Sequence, residues 1–530
     1  MGHEPISPLS LTLPQGKGRR VLVTGATGYV GGRLIPELLA AGFTVRAAAR
    51  NTQALQDRSW SPDVELAQMD LEDPGQAREA MHEVHTVVFL VHSMAAGRGF
   101  IEQEKRIAQT AADAAADAGV AQIVFLGGLH PDSPLEELSA HMRSREQVAR
   151  VLLERPVPAV VLEAGIVIGS GSVSFEMIRH LAERLPVMTG PSWLTNMIEP
   201  IAIRDVLYYL AHACALDQPI NRSFDIGCGQ MQEFRSMLTQ YAEVAGLAKR
   251  RVFPLPIPAQ RLSGIWISLV TPIPRSITMP LAASLAHDAV TQEHDIAQVI
   301  PDPPEGLTGY REACQRAIAW QRASATEQTW DDDVQALTSV DPAEPLPSDP
   351  EWAGHTVFTD DRVRESDDVS PEAVWQVVET IGGSNGWYSA SALWRIRGWM
   401  NKIVGSYGLD RGRRLPDRLR VNDYIDWWRV ESVDPGRSVT LRAELRAGGN
   451  GWLQFFVEPR DGGGVRLLQR AVFFPSGLVG RLYWRTIQPF HALIFPAMAK
   501  NILQAARQNM RDDGGVTSES WPQPPTRPAD

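Results

Sequence analysis

The chain has 530 residues, of which 44% are hydrophobic and 21% are charged, and its mean hydropathy is −0.17. This composition excludes both a disordered chain and a membrane bundle, and the length allows about three domains at roughly 100–200 residues each. The net charge of −11 disfavours nucleic-acid binding, because an excess of carboxylates repels a polyanion.

The remaining composition points to a cytoplasmic protein. Cys214, Cys228 and Cys314 lie far apart without the spacing of a disulfide framework or a zinc site, so we predict no metal site. No apolar stretch of signal-peptide length precedes the first strand, and the apolar segment 262–270 is shorter than the ~20 residues of a membrane helix. We therefore expect no secretion and no membrane span.

Residues 1–18 are predicted to form a flexible N-terminal segment, followed by a first domain over residues 19–322 in which strand-like and helix-like segments alternate. This alternation predicts an α/β fold with a doubly wound parallel sheet. Its helices include Arg33–Ala41 and Ile101–Ala118. The predicted strands are Val21–Thr24, Thr44–Ala48, Val64–Ala67, Thr86–Val91, Gln122–Leu126 and Ala159–Leu162.

The composition changes after residue 322. Residues 323–351 are acidic and rich in proline, which predicts an extended linker. A second, α+β domain is predicted over residues 352–510, and a disordered tail over 511–530. Its strands are expected at Tyr424–Val433, Val439–Arg446, Trp452–Glu458 and Val465–Phe474, and its helices at Pro371–Thr380 and Pro496–Gln508. Ten of the 15 tryptophans lie in residues 352–530, which predicts either a packed aromatic core or a pocket for a hydrophobic ligand.

A glycine-rich turn joins the first strand to the first helix. Gly25 suits the tight turn, Gly28 leaves room for a pyrophosphate, and Gly31 lets the helix approach the strand. Backbone N–H groups at the start of the helix are suited to bind the anion. The predicted cofactor-binding residues of this turn are Gly25, Thr27, Gly28, Tyr29, Val30 and Gly31.

Two further positions bear on which nucleotide binds. Arg50 ends the second strand, where an NAD-binding fold usually carries an acid, and a guanidinium there can pair with a 2′-phosphate. The cofactor predicted is therefore NADP(H), with NAD(H) as the alternative. After the third strand, Asp70 is predicted to accept from the adenine amino group and Leu71 to pack on the ring, although Asp70 is equally suited to cap a helix.

These motifs resemble the extended and atypical branch of the short-chain dehydrogenase/reductase superfamily, whose TGxxGxxG spacing matches Thr24–Gly31. The resemblance covers residues 19–322 and implies a Rossmann fold. The second domain resembles a domain of unknown function with a helix-grip, START-like sheet around a long C-terminal helix. The segments that carry the resemblance beyond the glycine turn are Phe89–Met94, Phe125–Leu129, Ser139–Arg145, Gly169–Ser172, Ile201–Val206, Gly386–Tyr388, Arg411–Arg414, Asp426–Arg429 and Phe474–Gly477.

In that superfamily, a serine after the fifth strand and a Tyr-x-x-x-Lys helix usually support hydride transfer. Here Gly127-Gly128 replaces the serine, and His141 and Arg145 take the helical spacing. Because i and i+4 share a helix face, we predict that both lie beside the nicotinamide as catalytic residues, unless they only brace the helix. His92 and Ser93, after the fourth strand, are secondary candidates near the nicotinamide.

Three functions follow from these residues. The first is NADPH-dependent reduction of a hydrophobic small molecule such as a quinone or an enone, which carries the developing charge itself. The second is a non-catalytic NADP(H)-binding regulator or scaffold, favoured by the missing Ser/Tyr/Lys set. The third is an epimerase or lyase that retains NAD. The sequence leaves the substrate and the oligomeric state open.

Overall fold

The computed structural model describes residues 11–56, 58–92, 99–255, 260–327, 358–389, 418–444, 449–460, 463–475 and 477–512. The chain divides into two compact units, unit 1 over Met1–Gly354 and unit 2 over His355–Asp530. None of the described helices is long and apolar enough to cross a membrane.

Strands and helices alternate through most of unit 1. Its first half contains β1 (Arg20–Val23), α1 (Tyr29–Ala40), β2 (Thr44–Ala49), α2 (Gln53–Gln56), β3 (Glu65–Gln68), α3 (Pro74–Met81), β4 (Thr86–Phe89), α4 (Phe100–Asp117), β5 (Gln122–Gly128), α5 (Ala140–Leu153) and β6 (Ala159–Ala164). Its second half contains β7 (Val167–Ile168), α6 (Val173–Arg184), β8 (Val187–Gly190), β9 (Met197–Ile198), β10 (Ile201–Ala202), α7 (Ile203–Ala215), β11 (Arg222–Ile226), β12 (Gln232–Glu233), α8 (Phe234–Val244), β13 (Arg251–Pro254), α9 (Gln260–Val270), α10 (Arg275–Ser284) and α11 (Tyr310–Glu327).

The main sheet of unit 1 has seven parallel strands in the order β11-β6-β5-β4-β1-β2-β3. The predicted doubly wound parallel sheet is therefore confirmed, with β11 as a seventh strand that the sequence analysis did not identify. The direction of winding reverses between β1 and β4. In such sheets ligands bind in the crevice at the carboxyl ends of the strands beside this reversal.

Burial on both faces explains the strands of this sheet. Val21, Leu22 and Val23 of β1 are all fully buried, as expected of a parallel strand covered by helices on each side. Separate hydrophobic cores fill the two faces, and Leu11 and Leu13 of the N-terminal segment lie against one of them. A third core lies among the later elements, which include the two-stranded sheets β7/β10, β8/β13 and β9/β12.

The described residues of unit 2 form an antiparallel sheet and two α-helices. Its elements are β14 (Phe358–Ser366), α12 (Pro371–Glu379), β15 (Tyr424–Ile425), β16 (Trp428–Asp434), β17 (Ser438–Ala443), β18 (Gly449–Pro459), β19 (Val465–Pro475) and α13 (Gly477–Asp512). The six strands lie in the order β14-β19-β18-β17-β16-β15. Ile494, Met498 and Ile502 of α13 share one core with the sheet residues Leu453 and Phe455. This arrangement confirms the predicted α+β unit with a C-terminal helix against its sheet.

The aromatic residues of unit 2 that the structure describes belong mainly to this packed core. Trp427 and Phe455 are fully buried, and the rings of Trp387 and Trp427 stack with centroids 6.5 Å apart. Trp394, Trp399, Arg411, Arg413 and Arg414 lie outside the described residues, as does most of the predicted linker. The predicted boundaries of the N-terminal segment, linker and tail therefore stay predictions.

Candidate functional site

The glycine turn between β1 and α1 has a backbone that side chains would obstruct. Gly25 has a φ of +68°, and a Cβ there would lie 3.0 Å from the carbonyl oxygen of Leu90. A Cβ on Gly31 would lie 2.5 Å from the Gly25 oxygen and 3.1 Å from Ala26 Cα. The predicted roles of these two glycines in the tight turn and in close helix packing agree with these distances.

Donor groups of the helix face the same end of the sheet. The first intrahelical hydrogen bond runs from Gly32 N to Gly28 O at 3.0 Å, so the N–H groups of Val30 and Gly31 project from the helix start. Thr24 ties this turn to the neighbouring strand, because its Oγ1 donates to Val88 O at 3.1 Å and accepts from Leu90 N at 3.0 Å. The turn therefore offers N–H donors at the reversal point, as a pyrophosphate requires.

A cavity of about 780 Å³ opens at this point. All the residues predicted for the site line it, although they come from five separate segments of the chain. They are Gly25, Thr27, Gly28, Tyr29, Val30, Gly31, Arg50, Asp70, Leu71, His92, His141 and Arg145. Its apolar walls include Leu90, Leu126, Val167 and Leu281. Ser93 lies outside the described residues.

The residues predicted to bind the adenosine part lie after β2 and β3. Arg50 is exposed at the end of β2 and lines the cavity. Asp70 Oδ1 accepts from Glu72 N at 3.0 Å and thereby holds the turn in which Leu71 is buried. The cap of the following helix is Asp73, whose carboxylate accepts from Gly75 N and Gln76 N. Asp70 is therefore not the helix cap, and its predicted contact with adenine stays a prediction.

His141 and Arg145 lie on one face of α5, as their i, i+4 spacing predicts. Ser139 caps this helix by accepting from Met142 N at 3.1 Å. The Arg145 guanidinium lies 4.5 Å from the ring centroid of Phe125 and donates to the carbonyl of Leu126. The rings of His141 and His92 lie 5.0 Å apart. Both predicted catalytic residues therefore border the cavity beside His92.

Glu104 of α4 joins these residues, and the sequence analysis did not identify it. Its side chain is 3% exposed, and its Oε1 lies 2.6 Å from Nδ1 of His92. The hydroxyl of Ser144, also buried, donates to the other carboxylate oxygen. Glu104 and Arg145 therefore form a buried pair of opposite charges around His92.

This environment keeps both histidines neutral. Burial lowers the pKa of His141 to about 3, and His92 and Arg145 contribute to the shift. Burial also lowers the pKa of His92, and the hydrogen bond that its ring donates to the Glu104 carboxylate opposes this shift. Burial lowers the pKa of Arg145 to about 10, so the guanidinium stays charged at neutral pH. Next to α5 the cavity is therefore lined by the Arg145 cation and by the two neutral imidazoles of His92 and His141.

One sequence signal marks Glu104. Ile107, Ala108 and Ala111 form the buried face of α4, and Glu104 precedes them by three, four and seven residues, so it lies on the same face. A carboxylate on the buried face of a helix requires a partner. Ser144 carries no comparable signal, since a serine inside a helix is common.

Two families of known proteins match separate parts of this chain. Residues 25–155 match a family described as NAD(P)H-binding, and residues 352–498 match a family of proteins of unknown function (DUF2867). The chain carries an NAD(P)H-binding domain. Its seven-stranded parallel sheet has a Rossmann-like fold, and the predicted fusion to a C-terminal domain of unknown function is confirmed.

Individual relatives match parts of this chain. It is 29% identical to an NmrA-like family domain-containing oxidoreductase of Aspergillus flavus over 134 residues, which are 24% of this chain and 43% of the relative. It is 24% identical to cinnamoyl-CoA reductase 1 of Oryza sativa subsp. japonica over 264 residues, 43% of this chain and 77% of the relative. A triphenylmethane reductase structure from Citrobacter sp. has 19% identity and a TM-score of 0.45, covering 56% of this chain and 99% of that one.

Proposed function

We propose that this protein catalyses the NADPH-dependent reduction of a hydrophobic small molecule of the quinone or enone type. The observation that carries the proposal is that the glycine turn, Arg50 and the His92–His141–Arg145 group line one cavity with apolar walls. The curated relatives from Aspergillus and rice, named as an oxidoreductase and a reductase, support the same class of reaction.

The glycine turn fits a nucleotide diphosphate, since a Cβ on Gly28 would lie 3.1 Å from Gly25 O and would narrow the groove in front of the helix start. When bound, a reduced nicotinamide supplies a hydride. N–H groups of Val30 and Gly31 would hold the pyrophosphate, the Arg50 guanidinium would hold the 2′-phosphate, and Leu71 would lie against the adenine.

The protein's own groups act on the charge that the substrate gains. Arg145 supplies a positive charge in a cavity of low dielectric, where it stabilises an anionic oxygen more than it would in water. Neutral His141 donates a hydrogen bond to that oxygen. Glu104 holds the ring of His92 through Nδ1, which leaves Nε2 to exchange a proton with water. Quinones and enones suit this site because their reduced anions are delocalised and do not need a tyrosine donor.

The test is to incubate the purified full chain with NADPH and a panel of quinones and enones, and to follow the loss of NADPH absorbance. Oxidation faster than in buffer is expected for at least one acceptor. Replacing His141 with Phe should lower turnover while NADPH binding is retained. His85→Phe is the matched control, because His85 is a partly buried histidine that immediately precedes the amino end of β4, whereas His92 follows the carboxyl end of that strand.

A non-catalytic NADP(H)-binding regulator is the second candidate. It is supported by β5, which ends in Gly127 and Gly128 at the place of the usual serine. A flat trace across the whole panel, with NADPH binding retained, would favour this candidate. Cofactor that remains attached through purification would instead favour an epimerase or lyase that retains NAD.

A further inference from the structure

A second group of titratable side chains lies on the elements that carry the catalytic candidates. His130 follows β5, Glu146 is on α5 and Glu163 is on β6, and their side chains are 14–18% exposed. His130 Nε2 lies 3.3 Å from Glu146 Oε2 and 3.7 Å from Glu163 Oε2. One nitrogen and two oxygens therefore converge, all within 4.8 Å of one another. These three residues are not among those that line the cofactor cavity.

The remaining polar atom of each residue has its own partner. His130 Nδ1 lies 3.0 Å from the carbonyl oxygen of Pro131, so its N–H donates there and the lone pair of the neutral ring is on Nε2. Glu146 Oε1 accepts from Arg150 Nε, and Glu163 Oε1 accepts from the hydroxyl of Ser223. These outer contacts orient Nε2 and both Oε2 atoms toward one point, which is the arrangement that surrounds metal ligands in proteins.

Two of the three separations between these atoms, 3.3 and 3.7 Å, are close to those between neighbouring ligands of a metal ion. Zinc binds histidine nitrogen and carboxylate oxygen at about 2.0–2.2 Å, which separates neighbouring ligands of a tetrahedron by about 3.3–3.6 Å. Two carboxylates also balance the charge of a divalent ion. We propose that His130 Nε2, Glu146 Oε2 and Glu163 Oε2 bind a divalent transition-metal ion such as zinc, with water as the fourth ligand.

The imidazole ligand selects among cations. Magnesium and calcium prefer oxygen ligands, whereas imidazole with carboxylates suits zinc and its neighbours in the first transition row. The spacing of residues 130, 146 and 163 matches no common metal motif, which is why the sequence analysis predicted no metal site. The fold brings these residues together through the pairing of β5 with β6 and the packing of α5 on both strands.

A proton is the alternative occupant of Nε2. A protonated His130 would donate from Nε2 to Glu146 Oε2, 3.3 Å away, so a metal ion must displace that proton to bind. Titrations at about pH 8 therefore favour the metal more than titrations at lower pH.

The test uses the full chain, treated with a chelator and then titrated with zinc chloride against a chromogenic chelator. The wild type is expected to bind one equivalent of zinc. Its affinity for this zinc ion should be higher than that of the variants His130→Gln and Glu163→Gln. Loss of a residue that hydrogen-bonds to a metal ligand typically weakens metal binding roughly 10–100-fold, so loss of a ligand itself should weaken zinc binding at least as much. His294→Gln is the matched control, because His294 pairs with Asp302 at 3.2 Å on the surface. Its zinc binding should equal that of the wild type.

Folding is checked by circular dichroism and by NADPH binding. If His130→Gln fails to fold, the zinc affinity of Glu163→Gln tests the proposal instead. Glutamine has nearly the same volume as glutamate, and its side-chain oxygen still accepts from the hydroxyl of Ser223. Zinc binding that is unchanged in Glu163→Gln, or absent in the wild type, would overturn the proposal. Equal affinities for magnesium and zinc would contradict the assignment to a transition metal.

Discussion

Glu104 contributes to the electrostatics of the cofactor cavity, although it does not line it. Burial lowers the pKa of His92 and of His141, the Arg145 guanidinium adds to this shift, and the Glu104 carboxylate opposes it. The hydrogen bond from Ser144 satisfies the second carboxylate oxygen. The protonation of the histidines at the cavity therefore depends in part on Glu104, which contacts His92 but does not line the cavity.

Arg50 is expected to select NADPH over NADH. In the variant Arg50→Ala, the affinity for NADPH should fall about tenfold or more, because a charge-assisted hydrogen bond contributes about 1.5–3 kcal/mol. The affinity for NADH, which lacks the 2′-phosphate, should change little. Calorimetric titration of both nucleotides measures the difference. Arg78→Ala is the control, since Arg78 is an exposed arginine paired with Asp117. Equal losses for both nucleotides would refute the role of Arg50.

His141 should make unit 1 less stable in acid. Below pH 6.5 an unfolded chain protonates this histidine, whereas the folded chain keeps it neutral down to about pH 3, since burial lowers its pKa. The free energy of unfolding should therefore fall as the pH drops through this range, by up to about 1.4 kcal/mol per unit from this group.

The variant His141→Phe should lose less stability between pH 6.5 and 5 than the wild type. Hydrogen exchange of peptides from β5 and β6 at increasing urea concentration measures this stability. His294→Phe is the control and should follow the wild type. Parallel pH curves for the wild type and His141→Phe would contradict the prediction.

At the scale of elements, the junction of β1, the glycine turn and α1 leaves little room for added side-chain atoms. The variant Gly31→Ala places a Cβ 2.5 Å from a backbone oxygen, so α1 must move away from the turn and its N–H groups leave their position. NADPH affinity and stability should both fall, the latter by about 1–3 kcal/mol as for other overpacked sites.

Gly32→Ala is the matched control for this junction. A Cβ on Gly32 would lie 3.7 Å from its nearest neighbours, which is an ordinary contact. This variant should keep NADPH affinity, and alanine should favour the helix. NADPH titration and thermal unfolding of both variants give the comparison. A loss of NADPH affinity in Gly32→Ala equal to that in Gly31→Ala would remove the steric argument.

The secondary-structure elements that were predicted from the sequence are those whose hydrophobic pattern can be recognised within the element itself. All six predicted strands of the main sheet are present, because continuous apolar runs between turns indicate buried parallel strands. β11 was missed, since Arg222–Ile226 alternates polar and apolar residues within a short segment. β14 was missed because Phe358–Ser366 is mostly polar. α13 begins at Gly477 rather than near Pro496, because Pro489 and Pro496 lie inside the helix instead of at its start.

The candidate site shows the same limit. The glycine turn was predictable because the spacing of Gly25, Gly28 and Gly31 is set by contacts within a single turn and the helix that follows it. The grouping of Glu104 and Ser144 with His92 depends on how α4 and α5 pack, which no local pattern reports. The convergence of His130, Glu146 and Glu163 likewise depends on strand pairing. Sequence therefore predicted the residues that line the cavity better than the residues that support them.

At the scale of the whole molecule, each unit has its own hydrophobic core. Leu152 belongs to a core of unit 1 and Leu453 to the core of unit 2, and both are fully buried. Truncating either leucine to alanine should cost about 2–5 kcal/mol within its own unit. NADPH at about 100 times its dissociation constant should stabilise the binding unit by about 2.7 kcal/mol.

Hydrogen exchange on the full chain separates these effects. Leu453→Ala should speed exchange in β17 and β18 and leave β1 and β5 unchanged, and Leu152→Ala should do the reverse. NADPH should slow exchange in β1 and β5 in the wild type and in Leu453→Ala alike, because cofactor binding depends on the core of unit 1. Protection of β18 by NADPH as strong as that of β1 would show that the two units unfold as one, and the cofactor would then control the stability of both.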